Sequence, residues 1–408
     1  MSNRSARLAS ASTPTKTAPP ARIESIDLIR GAVMVLMAID HVRVYSGVTP
    51  GGPTPGVFFT RWITHFCAPA FIFLAGTSAF FYGRRRADLS KHLLIRGLWL
   101  ILLELTFLRV AWTFNLDFRH YEMASVIWVI GWCMILLAGL VKLPTPVVGT
   151  IGVLIIGAHN LMDPHMGKLI EGLDANRFSG LWKVLYVGFF AGPIQFGADG
   201  PYLIVLYSII PWIGVMAAGY AFGRILVLEP ARRDRTCLFI GLSAVALFLF
   251  LRAFNLYGDP RPWHPAGQGR PMPGLLSLLN TTKYPASLSF LLMTVGPIIA
   301  LIPLLERLHG GLVRQITLFG RVPFFFYMLH IPLIHALALV VSKARLGFVS
   351  PWLFANHPMG NPEPPPGYIW SLSLLYVGWG AAILLLYFPC RWFAGLKSRR
   401  KDWWLGYL

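Results

Sequence analysis

The sequence has 408 residues, of which 55% are hydrophobic and only 13% are charged, and its mean hydropathy is +0.59. Soluble domains of this size rarely combine so many apolar with so few charged residues, so the composition indicates an integral membrane protein. The net charge of +19 does not indicate nucleic-acid binding, because most Lys and Arg residues stand in short clusters between long apolar runs, as in cytoplasmic loops of membrane proteins.

The two ends of the chain are polar and basic. Residues 1–23 are rich in Ser, Ala, Thr and Pro and contain no apolar stretch long enough for the core of a signal peptide. This composition predicts a disordered tail that stays in the cytoplasm. Residues 391–408 predict a second basic cytoplasmic tail, and residues 24–390 form the predicted transmembrane domain.

The apolar runs between the tails predict the architecture. A helix needs roughly 20 residues to cross a bilayer, and ten runs approach this length, at 24–44, 60–82, 93–114, 123–141, 144–162, 202–224, 236–254, 285–305, 315–341 and 367–390. An eleventh run, 181–197, is shorter and interrupted by Gly and Pro, which favours a re-entrant or interfacial segment. The sequence predicts an all-α polytopic membrane helix bundle with about ten transmembrane helices, eleven being possible.

The distribution of Lys and Arg predicts the orientation. The loops after the second, sixth and eighth runs are basic, and with ten spans they lie on the same side as both tails. Since cytoplasmic loops are enriched in Lys and Arg, the N- and C-termini are predicted to be cytoplasmic.

The first run carries four ionisable groups, Asp27, Arg30, Asp40 and His41. Eleven steps of about 100° bring His41 to within roughly 20° of the direction of Arg30, and Asp27 lies on the same stripe. Ionisable groups inside a membrane usually pair, line water or take part in chemistry. The stripe is therefore a candidate site, although an Arg30–Asp27 pair beside an interfacial His41 explains it as well.

Two further runs place titratable groups at membrane depth. His65 lies near the predicted height of His41 at the start of the second run. Glu104 stands near the middle of the third run, where a carboxylate must be protonated or paired, with Arg109 or Arg30 as candidate partners. An interhelical ion pair and a catalytic role both stay open for Glu104.

The ninth run carries Arg321 near its cytoplasmic end, followed by Tyr327, His330 and His335. Two His residues five positions apart do not form the i, i+4 pair of a helical metal site, so no metal is expected. Helix packing through hydrogen bonds and a role in a polar cavity stay open for both imidazoles.

Five stretches together resemble a known family: "RIESIDLIRGAVMVLMAIDH", "RWITHFCAPAFIFLAGTSAFFYG", "YSIIPWIGVMAAGYAFGRIL", "TKYPASLSFLLMTVGP" and "FGRVPFFFYMLHIPLIHAL". They are similar to bacterial multi-spanning proteins whose domain resembles the catalytic domain of heparan-alpha-glucosaminide N-acetyltransferase, a lysosomal membrane enzyme. The spacing of Arg30 and His41 is also similar to that of the wider transmembrane acyltransferase superfamily.

The resemblance implies roles for particular residues. His41 would be the base or the acyl carrier, and Arg30 would lie near the phosphates of acyl-CoA, with Arg84, Arg85 and Arg86. The sequence also departs from the lysosomal enzyme. The essential His of that enzyme lies in the loop before its second span, whereas the matching loop here, residues 48–59, contains no His. His65 stands where that enzyme has Asp, and His41 where it has Asn.

The resulting hypothesis is a membrane acyltransferase that moves an acyl group, expected to be acetyl, from cytoplasmic acyl-CoA to an amine or hydroxyl of a sugar or glycan. Such transfer requires a base and a donor that stabilises the oxyanion. The candidate catalytic residues are His41, Asp40, His65, Glu104 and His330. The candidate acyl-CoA-binding residues are Arg30, Asp27, Arg84, Arg85, Arg86 and Arg321.

Two other classes stay open. A polar stripe through the bundle also suits a transporter of protons or solutes, and a structural or sensor protein would have no catalysis at all. The expected partners are the lipid bilayer, acyl-CoA and the sugar acceptor, with no nucleic acid, and both a monomer and an oligomer are compatible with the sequence. The resemblance and the missing signal peptide together predict a bacterial inner membrane.

Overall fold

The computed structural model describes residues 23–50, 54–173, 179–265, 273–359, 362–400 and 402–406. The predicted N-terminal tail, up to residue 22, lies outside the described residues. The helices are Glu24–Ser46 (α1), Pro55–Trp62 (α2), Cys67–Gly83 (α3), Leu89–Leu103 (α4), Arg109–Thr113 (α5), Val126–Leu140 (α6), Thr145–Ala158 (α7), Met166–Leu173 (α8), Ser179–Trp182 (α9), Ile209–Leu226 (α10), Pro230–Ala253 (α11), Gly274–Leu279 (α12), Leu288–Leu305 (α13), Gly311–Arg321 (α14), Pro323–Leu346 (α15) and Leu372–Arg399 (α16).

The all-α polytopic architecture predicted from the sequence is confirmed. Within the described residues, seven helical segments are long and apolar enough to cross a membrane: Pro55–Gly83, Thr145–Lys168, Ile209–Leu226, Pro230–Ala253, Leu288–Leu305, Pro323–Leu346 and Leu372–Arg399. α1, α4 and α6 coincide with the three remaining apolar runs. The total number of spans and the side of the termini stay predictions.

The second and the third of the predicted runs each contain a change in helix type. The second has a 3-10 turn at Ile63–Phe66 between α2 and α3. The third has a π-helical turn at Glu104–Leu108 between α4 and α5, a local widening that is frequent at functional sites.

The ninth run was predicted as one helix, and this was wrong. Val322 has φ −132° and ψ 47°, which ends α14 and lets α15 begin at Pro323. The cause is local, since the ring of a proline disfavours the α conformation in the residue before it. Arg321 therefore ends one helix, while Tyr327 and His330 belong to the next.

A small sheet accompanies the helices and was not predicted. Its strands are Glu122–Ala124 (β1), Ile194–Gln195 (β2) and Tyr202–Val205 (β3), in the order β1-β3-β2. β1 pairs with β3 in parallel, and β2 pairs with β3 antiparallel. The eleventh run is broken, as its Gly and Pro residues indicate, into α9, a π turn at Lys183–Val187 and a 3-10 turn at Gly188–Ala191. Whether it enters the membrane stays a prediction.

The polar helix α1 is held tightly against α14. A Cβ atom on Gly31 would lie 1.9 Å from the carbonyl oxygen of Ile316, and one on Gly320 would lie 1.8 Å from that of Asp27. Only glycine permits this backbone approach, as at many helix contacts in membranes. The contact brings the residues around Arg30 next to the end of α14, where Arg321 stands.

Candidate functional site

His41 of α1 and His330 of α15 are in direct contact. The Nδ1 atom of His41 lies 2.5 Å from the Nε2 atom of His330, and the rings are stacked with centroids 4.7 Å apart. The Nδ1 atom of His330 lies 2.7 Å from the carbonyl oxygen of Tyr327. The structure thus joins two of the predicted catalytic residues.

These partners assign the protons of the two imidazoles. A carbonyl oxygen only accepts hydrogen bonds, so the Nδ1 atom of His330 must carry a proton and donate it. In a neutral ring the Nε2 atom of His330 is then an acceptor, and His41 donates to it from Nδ1. The Nε2 atom of His41 is left with a lone pair, which is the state of a general base.

Trp112 and Tyr327 flank the ring of His41. The Trp112 ring meets it edge-on at 4.8 Å between centroids, and the Tyr327 ring at 6.4 Å. The Nε1 atom of Trp112 is buried and has no hydrogen-bond acceptor among the described residues. A buried N–H without an acceptor is rare in proteins, and this one belongs to the ring that packs against His41.

His41 faces a cavity of about 630 Å³, here named the outer cavity. Its wall also includes Asp40, Arg43, Arg61, Trp112, Ser125, Val126, Tyr207, Lys283, Tyr284, Tyr327, His357 and Glu363. The carboxylate of Asp40 accepts a hydrogen bond of 2.8 Å from Arg43. Asp40 therefore lines the same cavity as His41 but does not orient its ring.

Two cavities lie around Arg30. The first inner cavity, of about 420 Å³, is bordered by the basic residues Arg30, His92, Arg96, Arg321 and Lys397. The second inner cavity, of about 540 Å³, is bordered by Asp27, Arg30, Arg85 and Arg86. Five of the six predicted acyl-CoA-binding residues line one of these cavities. Arg84, whose side chain is exposed, lines neither of them.

Arg30 belongs to both inner cavities. Its guanidinium lies 3.5 Å from Asp27, which confirms the pair expected from their spacing. It also donates to the carbonyl oxygen of Leu74 at 3.2 Å and to the hydroxyl of Ser78.

Tyr327 and Val126 line the first inner cavity and the outer cavity at once. The two cavities therefore meet at this pair of side chains, between Arg30 on one side and His41 on the other. Helix geometry separates these two residues by roughly 16 Å along α1.

Glu104 does not orient His41. Its buried carboxylate accepts a hydrogen bond from the hydroxyl of Ser125, the residue that precedes α6. Arg109, one of its two expected partners, donates to the carbonyl oxygens of Tyr121 and Asn115 instead. The start of α6 carries unpaired N–H groups and a partial positive charge, which stabilise an acidic group at that place.

His65 and His335 lie apart from the His41–His330 pair. His65 is buried against the ring of Phe290, and neither of its nitrogens has a hydrogen-bond partner among the described residues. The Nε2 atom of His335 lies 2.8 Å from the carbonyl oxygen of Leu353, and its Nδ1 atom lies 3.3 Å from that of Ala111. These contacts correspond to the helix-packing role considered for this residue. No group of three His, Cys, Asp or Glu side chains suited to a metal occurs among the residues that the structure describes.

Several residues of the cavity walls were missed in the sequence. Arg96 interrupts the third apolar run, so the reasoning that singled out Arg30 also applies to it. Lys397 stands in the predicted basic tail, and α16 carries it beyond residue 390 to the first inner cavity. Lys283 and His357 lie in connecting segments, where no spacing pattern marks them.

Residues 22–252 match the family model of the catalytic domain of heparan-alpha-glucosaminide N-acetyltransferase. No curated protein matches the chain. The matched part contains Arg30, His41, Glu104 and Trp112, whereas Lys283 and His330 lie beyond it. Since the match covers more than half of the chain, the protein belongs to the heparan-alpha-glucosaminide N-acetyltransferase catalytic-domain family, which implies a multi-pass membrane acetyltransferase.

Proposed function

We propose that the protein transfers an acetyl group from acetyl-CoA, bound at the inner cavities, to an amine or hydroxyl of an acceptor in the outer cavity. The observation that carries this proposal is the chain of hydrogen bonds from His41 through His330 to the carbonyl of Tyr327. It gives His41 a basic Nε2 atom on the wall of the outer cavity, near the place where this cavity meets the first inner cavity.

The charges of the inner cavities fit the polyanionic part of CoA. Arg30, Arg85 and Arg86 border one cavity, and Arg30, Arg96 and Arg321 border the other. Guanidinium groups bind phosphate through charge-assisted hydrogen bonds. With the phosphates held there, the acyl arm is directed along the first inner cavity towards Tyr327. Acyl-CoA is then taken from the cytoplasm, the side predicted for the basic loops.

The acceptor reacts in the outer cavity. As its nitrogen or oxygen bonds to the acetyl carbonyl carbon, its proton moves to the Nε2 atom of His41. The carbonyl oxygen gains negative charge, and we assign its stabilisation to the N–H of Trp112, which has no hydrogen-bond acceptor of its own among the described residues. The C–S bond then breaks, and the CoA thiolate takes the proton from His41, which becomes neutral again.

Labelled acetyl-CoA tests this function with membranes or purified protein. The variant His41→Ala is expected to lose acetyl transfer by about 10²–10⁴-fold, the range for removal of a general base. His309→Ala is the matched control, because His309 is exposed and borders none of the three cavities. Transfer by His41→Ala at the wild-type rate contradicts the proposal. Transport of label without acetylated product favours the transport alternative.

A further inference from the structure

Lys283 is a buried cation on the wall of the outer cavity. Its exposed fraction is 8%, and its ammonium lies over the rings of Tyr284 at 5.2 Å and Tyr207 at 5.7 Å. Among the described residues, no carboxylate lies within 4 Å of its Nζ atom and no hydrogen-bond acceptor reaches it. A buried ammonium is costly unless it is paired, and contact with two aromatic faces replaces only part of its hydration.

A buried network fixes the segment that presents Lys283. Asp259 accepts hydrogen bonds from the backbone N–H and the hydroxyl of Thr282, at 2.9 and 2.8 Å, and from the hydroxyl of Ser287 at 2.9 Å. Arg252 lies 3.7 Å from Asp259, and both side chains are 3% exposed. The backbone is therefore anchored on both sides of Lys283, so the lysine is held at a defined position in the cavity wall.

The other charges of the cavity do not neutralise Lys283. Arg43 is paired with Asp40, and Glu363 is exposed. Arg61 and Lys283 form no ion pair within 4 Å among the described residues. Lys283 is also close enough to Asp40 and His41 to act on both electrostatically. A group that it binds thus lies in the part of the cavity that holds the proposed base.

We propose that Lys283 binds a carboxylate of the acceptor, so that the preferred acceptors are sugar acids. The proposal rests on the proposed function, which makes the outer cavity the acceptor site. A carboxylate supplies the counter-charge and the hydrogen-bond acceptors that the ammonium lacks. The neighbouring rings of Tyr207 and Tyr284 offer apolar faces to the sugar ring. The bound acid orients the acceptor, so its amine or hydroxyl is presented to His41 in one direction.

Thermal unfolding of the purified full-length protein with D-glucuronate or D-glucose tests the proposal, at matched ionic strength. Glucuronate carries a carboxylate at the position where glucose carries a hydroxymethyl group. Glucuronate is expected to raise the unfolding temperature and glucose is not, because ligands that bind only the folded state stabilise it. Lys283→Met is expected to abolish the glucuronate shift, whereas Lys91→Met, at an exposed position, keeps it.

A second readout shows that the variant is folded. Without ligand, Lys283→Met is expected to unfold at the same or a higher temperature, since it removes an unpaired buried charge. Its stabilisation by acetyl-CoA is expected to equal that of the wild type, because the inner cavities are unchanged. Equal shifts with glucose and glucuronate, a glucuronate shift that survives in Lys283→Met, or a shift with inorganic phosphate in place of glucuronate would overturn the proposal. If acetyl-CoA does not raise the unfolding temperature of the wild type, the proposed function itself is contradicted.

Discussion

His41 and His330 are 289 residues apart in the sequence, yet their ring nitrogens lie 2.5 Å from each other. One imidazole comes from the charged first helix and the other from α15, which begins only after the break at Val322. The second imidazole gives the first its tautomer, since its own proton is bound by a backbone carbonyl. A base of defined orientation results from the contact of two helices.

The role of His330 is tested by two substitutions of different hydrogen-bonding capacity. In His330→Gln an amide oxygen can still accept from the Nδ1–H group of His41, whereas His330→Leu offers no acceptor. We expect kcat to fall by about 10²-fold or more in the Leu variant, as when an orienting group is lost from a catalytic imidazole, and clearly less in the Gln variant. KM for acetyl-CoA is expected to stay unchanged in both. Equal losses in the two variants would show that His330 only packs the bundle.

The indole N–H of Trp112 is expected to stabilise the transition state. Trp112→Phe keeps an aromatic ring beside His41 but removes the donor, and kcat is expected to fall by about 10²–10³-fold. Trp132→Phe is the control, because the Nε1 atom of Trp132 is also buried without a partner but borders none of the three cavities. Steady-state kinetics at saturating acetyl-CoA measure both variants. If the two lose the same activity, the donor role is refuted.

The three consecutive arginines after α3 allow a matched test of acetyl-CoA binding. Arg85→Gln is expected to raise the Kd for acetyl-CoA by about tenfold, which corresponds to one charged hydrogen bond. Arg84→Gln is expected to leave the Kd unchanged, since Arg84 lies outside both inner cavities. Binding by the wild type is also expected to weaken with salt, because exposed charges are screened. Titration calorimetry gives these constants, and identical effects of the two substitutions would count against a phosphate site here.

The approach of α1 to α14 predicts a difference between two glycines. Gly31→Ala places a Cβ atom 1.9 Å from the backbone of Ile316, so the helices must separate, at a cost of about 1–3 kcal/mol for overpacking. Gly139→Ala in α6 meets no atom within 4 Å, and its higher helix propensity is expected to stabilise slightly. Thermal unfolding in detergent compares the two variants, and equal unfolding temperatures would show that the contact is looser than described.

The burial of His357 predicts that the folded protein loses stability in acid. It lies in a 3-10 turn outside the membrane helices, and burial lowers its pKa from 6.5 to about 3. The folded state resists protonation of this ring while the unfolded state accepts it, so this contribution to stability is present above pH 6.5 and is lost as the pH falls towards 3. His357→Gln is expected to show a smaller loss of unfolding temperature between pH 7 and pH 4.5. A variant as acid-sensitive as the wild type would assign the effect to other groups.

The sequence by itself determined the class of the molecule and the contents of its first helix. Apolar runs of bilayer length predict helices, since the backbone must satisfy its hydrogen bonds internally. The pair of Asp27 and Arg30 follows from a spacing of three on a helix, and their 3.5 Å contact confirms it. Three of the five stretches that resemble the family lie within residues 22–252, and the family model that matches these residues confirms the family.

Only the tertiary structure decided which polar residues work together. Glu104 was a candidate catalytic residue together with His41, but its carboxylate accepts a hydrogen bond from Ser125 at the start of α6. Glu104 begins a π-helical turn, and the direction of a side chain in such a turn does not follow from the 3.6-residue period of an α-helix. The short strands were missed because two to four residues carry too little pattern. The contacts of His41 with His330, and the burial of Lys283 on the same cavity wall, depend on how distant helices pack. Spacing along a chain predicts neighbours within one helix, whereas neighbours on different helices are decided by the fit of the whole bundle.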